Sequence, residues 1–139
     1  WVASNTEVAD ILRDYRDYTM ICAGVFDDMV ATLVLENKEA ILERNRQIVE
    51  ENLALMDEWI AKEPKASWIR PASVSTSFVK LDVNRPIEDF ALELLQDYGV
   101  LVVPGNRFDK ESHVRIGYCC DKEVLQKGLE KLSQFLNKC

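Results

Sequence analysis

The sequence GVLVVPGNRFDKESHVRIGYCC, residues 99–120, contains the pattern that decides the fold. Residues 100–103 form a short, continuous apolar run, which is typical of a strand buried on both faces. A Pro-Gly turn and a polar loop ending at Ser112 separate this run from residues 113–120, which predict the last strand of the chain. The stretch therefore predicts two strands of one sheet, joined by a turn and a loop.

The order of residues in the last strand assigns its side chains to two faces, because successive side chains of a strand point to opposite sides. One predicted face consists of Val114, Ile116, Tyr118 and Cys120, and the other of His113, Arg115, Gly117 and Cys119. The first set is apolar and predicts the face that packs against helices. Arg115 then projects from the middle of the strand onto the opposite face, where Gly117 leaves room around it.

Helical periodicity surrounds this segment on both sides. Apolar residues recur at helical spacing in five stretches, which are residues 6–18, 26–35, 38–62, 86–98 and 122–136. Thr6, Asn37 and Asp121 are predicted N-caps, and Gly99 is a predicted left-handed stop. The second stretch is apolar on most sides, so we expect that helix to be buried.

A further strand is predicted at residues 75–82, which are rich in β-branched and aromatic side chains. The order of elements is then three helices, a strand, a helix, two strands and a helix. A small mixed sheet backed by helices on one face accommodates this order most simply. The sequence leaves α/β and α+β open as fold classes, and a length of 139 residues suits one domain.

Composition excludes several classes of partner. A net charge of −7 argues against nucleic acid or an anionic membrane surface. No apolar run approaches the roughly 18–20 residues that a membrane span needs. The chain lacks the basic region and apolar core of a signal peptide, so we expect a cytoplasmic protein.

The cysteines and the single histidine do not predict a metal site. Cys22, Cys119, Cys120 and Cys139 form no CxxC pair, and we expect them to be reduced, buried thiols. The only histidine, His113, has no suitable ligands at zinc-binding spacing.

Arg115 is the strongest candidate for binding a ligand. A guanidinium can bind a carboxylate through two parallel hydrogen bonds, which lysine does less well. The alternative is an arginine on a solvated sheet face, paired with Asp109 or Glu111, and the residues alone leave both open. His113, on the same predicted face, is either a group that titrates near neutral pH or a structural histidine. Gly105 either lets the backbone approach a ligand or only reverses the chain.

No complete catalytic set is visible. The chain contains no GxGxxG, phosphate-binding loop, HExxH or GxSxG motif. None of the nine lysines lies in an apolar setting suited to covalent binding of a carbonyl group, and Cys119 has no base near it in sequence. The sequence therefore predicts no catalytic, cofactor-binding or metal-binding residue of its own.

Taken together, residues 99–108 and 113–117 resemble the C-terminal small domain of class I/II aminotransferases, which are fold-type I enzymes that use pyridoxal 5′-phosphate (PLP). In that family a Gly-Val strand leads to a Pro-Gly turn and a Phe. A later strand of the form hydrophobic-Arg-hydrophobic then binds the substrate α-carboxylate through its Arg, and the resemblance assigns this role to Arg115. The long helix at residues 38–62 and the final helix are also similar to helices of that domain.

The start of the chain extends the resemblance. Residues 1–3, Trp-Val-Ala, resemble the end of an Arg-x-Gly-Trp segment that follows the cofactor-binding lysine in the family. The resemblance therefore implies a C-terminal fragment that lacks the cofactor-binding large domain and is inactive alone. Residues 1–36 would be a helical remnant of the large domain or of the interdomain connection, and residues 37–139 would be the small domain.

Two positions depart from the family's pattern. Asp109 stands where the family often has a Gly, and Asp27-Asp28 stand where a Gln is often found near the start of a helix. In relatives the turn before that helix can reach the active site of the neighbouring subunit, so we assign no site residue from it.

The resemblance implies a function for the longer protein. We expect a homodimeric, PLP-dependent enzyme that transfers an amino group from an amino acid to a 2-oxo acid, with PLP not bound covalently by this fragment. Two alternatives remain open. One is a PLP-dependent carbon–sulfur β-lyase of the same fold, and the other is a non-catalytic aminotransferase-like domain of a transcription regulator.

Overall fold

The structure, a computed structural model, describes residues 2–72 and 74–139. Trp1, which takes part in the N-terminal resemblance, lies outside the described residues. The chain divides into two compact units, of which the first ends at Leu42 and the second begins at Glu43. Helix α3, Lys38–Lys62, contains the boundary.

The first unit contains helices α1, Thr6–Thr19, and α2, Val25–Glu36. The N-cap of α1 is Asn5 and not Thr6 as predicted, because the Asn5 Oδ1 accepts a hydrogen bond of 3.0 Å from the Val8 backbone N–H. The predicted cap Asn37 instead donates its side-chain N–H to the Leu33 carbonyl at 2.8 Å, and so it closes α2.

Helix α2 is exposed along its whole length, and the prediction that it is buried is wrong. Phe26 is 83% exposed, and no residue of α1 or α2 is buried. Its apolar side chains are Val25, Phe26, Met29, Val30, Leu33, Val34 and Leu35. The sequence shows that the helix is apolar, but within its own unit α1 leaves these side chains exposed.

The second unit contains a four-stranded sheet with helices α3, α4 and α5. The strands are β1, Ala66–Trp68; β2, Thr76–Leu81; β3, Val103–Pro104; and β4, His113–Gly117. Helix α4 spans Ile87–Tyr98 and α5 spans Lys122–Leu136. Gly99 ends α4 with φ +66°, and the Asp121 side chain caps α5, as predicted. The mixed helix-and-strand fold class is confirmed.

The sheet differs from the prediction in its pairing. The strand order is β1-β2-β4-β3, and every neighbouring pair is antiparallel, whereas we expected a mixed sheet. Strands β2 and β3, which α4 connects, run parallel to each other, but β4 lies between them and is antiparallel to both. Inserting β4 in this way removes any adjacent parallel pair.

Two strands also differ in extent. The three-residue strand β1 was not predicted, since it is too short to show alternation. Strand β3 contains two residues instead of the four expected at 100–103, and Leu101 is 76% exposed instead of buried.

One face of the sheet packs against the helices, and we call it the closed face. It presents Ser77, Val79, Leu81, Val114 and Ile116, all of which are buried. Helices α3, α4 and α5 complete the core with Leu53, Met56, Ile87, Phe90, Ala91, Leu94, Leu125, Leu129, Leu132, Phe135 and Leu136. The opposite face, which we call the open face, presents Thr76, Phe78, Lys80, His113, Arg115 and Gly117.

Beyond β4 a buried amide fixes the chain. The Nδ2 of Asn52, a residue that is 2% exposed, donates to the carbonyls of Tyr118 at 2.7 Å and Cys120 at 2.8 Å. These bonds satisfy a buried polar group and tie the end of β4 to α3.

Candidate functional site around Arg115

Strand β4 places Arg115 in the middle of the open face. The alternation predicted from the sequence is confirmed in β4, where Val114 and Ile116 are buried and Arg115 and Gly117 are exposed. Phe78 of β2 lies opposite Arg115 on one side, and Val103 of β3 lies opposite it on the other.

Arg115 contacts the first of three aromatic rings that lie in a row on this face. The Cζ atom of Arg115 lies 5.3 Å from the centre of the Phe108 ring. Phe108 meets Phe78 edge to face, with ring centres 5.8 Å apart and planes at 84°. Phe78 in turn stacks on His113, with ring centres 4.9 Å apart. The guanidinium therefore stands against an aromatic layer and not against acidic side chains.

The ring of Phe108 is positioned by a short 3₁₀ helix, Gly105–Phe108, which replaces the start of the predicted loop. The Lys110 backbone N–H donates to the Gly105 carbonyl at 3.0 Å. A Cβ at Gly105 would lie 2.5 Å from the His113 carbonyl oxygen and closer still to that of Lys110. Glycine is therefore needed here for close packing against the chain's own backbone, a role that differs from the two considered for Gly105 from the sequence.

Helix α4 contacts the same 3₁₀ helix through the side chain of Glu88. One carboxylate oxygen of Glu88 accepts a hydrogen bond of 2.7 Å from the Asn106 side-chain amide. The other oxygen pairs with the Arg107 guanidinium. Glu88 thus binds both residues that directly precede Phe108.

Arg115 forms no ion pair or side-chain hydrogen bond within the described part of the chain. In particular, neither Asp109 nor Glu111, the partners considered from the sequence, is paired with it. A Cβ at Gly117 would meet no atom within 4 Å, so the open face has free space at the position two residues beyond Arg115. An exposed guanidinium with free N–H groups is suited to binding a carboxylate through two hydrogen bonds.

His113 belongs to the same face but is not a partner of Arg115. Its Nδ1 lies 3.4 Å from the Ser112 Oγ. Partial burial lowers the pKa of His113 below its ordinary value, and the positive charges of Lys110 and Lys80 lower that pKa further. The shift favours the neutral form of the imidazole.

Cys119 does not join the open face, although the sequence predicted that it would. Strand β4 ends at Gly117, and Cys119 borders a polar groove with Arg44 and Gln47 of α3. Cys22, Cys119 and Cys139 are exposed and Cys120 is partly buried, so the prediction of buried thiols is wrong for three of the four.

Phe78 and Glu88 belong to this site but were not predicted from the sequence. Alternation at residues 76–81 would have placed Phe78 on the same face as Thr76 and Lys80. No local signal points to Glu88, because its contacts reach residues 18 and 19 positions away.

The residues described here do not fit covalently bound PLP. A lysine that binds a carbonyl cofactor must be able to lose its proton, which burial in an apolar site favours. Eight of the nine lysines are exposed, and the ninth, Lys65, donates to the Leu136 carbonyl at 2.8 Å. Among the described residues, no cluster of three or more potential metal ligands occurs either.

None of the described helices has the length and apolar composition that a membrane span requires.

Comparison with known proteins identifies the family to which the chain is similar. The model of the family described as aminotransferase class I and II matches residues 1–132. The crystal structure of a PLP-dependent aminotransferase from Streptococcus suis 89-1591 is similar with a TM-score of 0.95 and 66% identity, over 99% of this chain and 37% of that one. An aspartate aminotransferase structure from Thermotoga maritima gives a TM-score of 0.82 at 25% identity, over 96% of this chain and 34% of that one.

Capreomycidine synthase from Streptomyces vinaceus is 27% identical over 137 residues, which are 98% of this chain and 35% of that protein. The chain therefore spans about a third of the length of the relatives it matches. The match over nearly the whole sequence shows that this chain belongs to the class I and II aminotransferase family, whose members are PLP-dependent.

Proposed function

We propose that this chain is the C-terminal part of a PLP-dependent aminotransferase in which Arg115 binds the α-carboxylate of the amino-acid substrate. One observation carries the proposal. Arg115 stands exposed on the open face, with free space at Gly117 two residues beyond it and no anionic partner among the described residues. A cation in that state provides binding energy for an external carboxylate, since no internal ion pair has to be broken first.

In this proposal the chain contributes to the reaction by binding and orienting the substrate. Two parallel hydrogen bonds fix both the position and the plane of a carboxylate, so the rest of the amino acid is held in one orientation. Each hydrogen bond to a charged group contributes about 1.5–3 kcal/mol. The same group occurs in amino acids and in 2-oxo acids, so Arg115 would serve both halves of an amino-group transfer.

We also propose a division of the longer protein. Residues 1–36 belong to its large domain or to the connection between domains, and residues 37–139 form its small domain. The exposed apolar side chains of α2 support this division, because an isolated soluble domain rarely leaves such a surface uncovered. PLP binds to the large domain, the longer enzyme is a homodimer, and this chain alone is inactive.

The inactivity of the chain alone is tested directly on the 139-residue protein. We expect PLP followed by borohydride reduction to give no stoichiometric adduct in intact-mass analysis, since no lysine here has the setting that such a bond needs. A single adduct at one lysine would contradict the placement of the cofactor site outside this chain.

The reaction is tested on the longer protein that contains this chain. It is incubated with PLP and a panel of amino acids, with no 2-oxo acid added, and the products are identified. Conversion of the cofactor to its pyridoxamine form with release of a 2-oxo acid supports amino-group transfer. Ammonia and pyruvate from sulfur-containing amino acids, without that conversion, would make the protein a lyase. If no cofactor spectrum develops, the enzymatic proposal fails and the regulatory alternative is preferred.

A further inference from the structure

Arg115 has only one kind of side-chain partner in the described part of the chain, and that partner is aromatic. The Phe108 ring centre lies 5.3 Å from the Arg115 Cζ, within the range of a cation–π interaction. An exposed arginine otherwise samples many rotamers, and ordering it on ligand binding costs entropy. A ring that holds the guanidinium before the ligand arrives reduces that cost.

The chemistry of this partner matters as much as its position. A carboxylate partner would occupy the N–H groups that a substrate carboxylate needs. A ring instead attracts the cation through its π face and takes up no strong hydrogen bond. Phe108 can therefore order Arg115 while leaving its N–H groups available.

Phe108 is 45% exposed, and its ring is held by one neighbouring ring and by the backbone that carries it. Phe78 contacts it edge to face, and the two preceding residues, Asn106 and Arg107, are both bound by Glu88 of α4. Close backbone packing at Gly105 fixes the start of the same 3₁₀ helix. The position of the ring is thus set by contacts that do not involve Arg115.

We propose that Phe108 is a positioning residue for substrate binding, which holds the Arg115 guanidinium in the orientation that receives the substrate carboxylate. The inference rests on the proposed function of Arg115 and adds to it the residue that prepares this arginine for binding.

The test uses the longer protein with three variants. Phe108→Leu keeps an apolar side chain but removes the ring, Phe108→Tyr keeps the ring, and Arg115→Ala removes the group that is positioned. We expect Phe108→Leu to raise KM for the amino acid about two- to fivefold, with kcat within about twofold of the parent value. Phe108→Tyr should have a KM close to that of the parent. Both Phe108 variants should have a Tm within about 2 °C of the parent value.

A second readout needs no activity. In the NMR spectrum of the 139-residue chain, the Arg115 side-chain protons should be shifted upfield by the ring current of Phe108. That shift should disappear in Phe108→Leu and persist in Phe108→Tyr. If the Arg115 protons show no such shift, the ring does not hold the guanidinium and the inference is overturned.

The outcomes separate the two proposals. If Arg115→Ala raises KM but Phe108→Leu and Phe108→Tyr give the same KM, the positioning role of Phe108 fails and the function of Arg115 stands. If Arg115→Ala leaves KM unchanged, the proposed function fails and the inference fails with it. If Phe108→Leu and Phe108→Tyr both have a lower Tm than the parent, Phe108 is a structural residue and not a positioning residue.

Discussion

The two faces of the sheet are built from the same strands but differ in what holds their side chains. On the closed face Val79, Leu81 and Val114 are at most 1% exposed and pack against three helices. On the open face Arg115 and Lys80 are exposed, and an aromatic layer takes the place of a packed core. The closed face explains why the second unit folds. The open face carries groups that folding does not require, which is the property expected of a binding surface.

The largest expected difference between the faces is in stability. Phe90 of α4 is fully buried and lies 4.8 Å from Phe135 between ring centres, so Phe90→Ala should lower the free energy of unfolding by about 3–5 kcal/mol. Phe78→Ala removes the same side chain from the open face, where it is half-buried, and should cost about 1 kcal/mol. Urea unfolding of the 139-residue chain, followed by tryptophan fluorescence, measures both. Equal losses would show that the open face is part of the folding core.

A second contrast lies between Gly117 of the open face and Gly105, which is buried at the start of the 3₁₀ helix. Gly105→Ala should destabilise the chain by about 1–3 kcal/mol, because its Cβ would collide with the backbone at Lys110 and His113. Gly117→Ala meets open space and lacks a positive φ, so it should be neutral or stabilising by up to about 1 kcal/mol. Thermal unfolding of the two variants checks this pair. A stable Gly105→Ala would mean that the 3₁₀ helix can move, and that Phe108 is not firmly placed.

The helices were largely predictable because their signals are local. Gly99 and Asp121 end and begin helices through their own backbone and side-chain chemistry, and the structure shows both doing so. The alternation in β4 is likewise local, and from it the sequence alone assigns Arg115 to the correct face.

The features that could not be predicted from the sequence depend on contacts between residues that are far apart in the chain. The position of Phe78 opposite Arg115 follows from the pairing of two strands separated by a helix and another strand, and local periodicity cannot supply that register. The Phe108 ring depends on Glu88, and the insertion of β4 between β2 and β3 depends on the whole sheet. For α2 the apolar character is visible in the sequence, but burial depends on what covers the helix.

The smallest expected effect is a pH dependence at His113. Because burial and the charges of Lys110 and Lys80 lower its folded-state pKa, the folded chain binds a proton less readily than the unfolded chain. The free energy of unfolding therefore keeps its full value above about pH 6.5, the ordinary pKa of histidine. It decreases as the pH falls through that value towards the lower folded-state pKa.

His113→Phe keeps a ring to stack on Phe78 but cannot titrate. Between about pH 7.5 and pH 5.5, its urea midpoint should therefore fall less than that of the parent. Identical pH dependence in the two proteins would show that His113 does not contribute.

Binding of the substrate carboxylate by Arg115 is tested by comparing two cations of the open face in the longer protein. Arg115→Ala should raise KM for the amino acid at least about tenfold, the loss of one hydrogen bond to a charged group, while Tm stays within about 2 °C of the parent. Lys80→Ala removes the same charge from the same face, opposite His113, and should leave KM within about twofold. An unchanged KM in Arg115→Ala, or an equal rise in both variants, would show that Arg115 is not the group that binds the carboxylate.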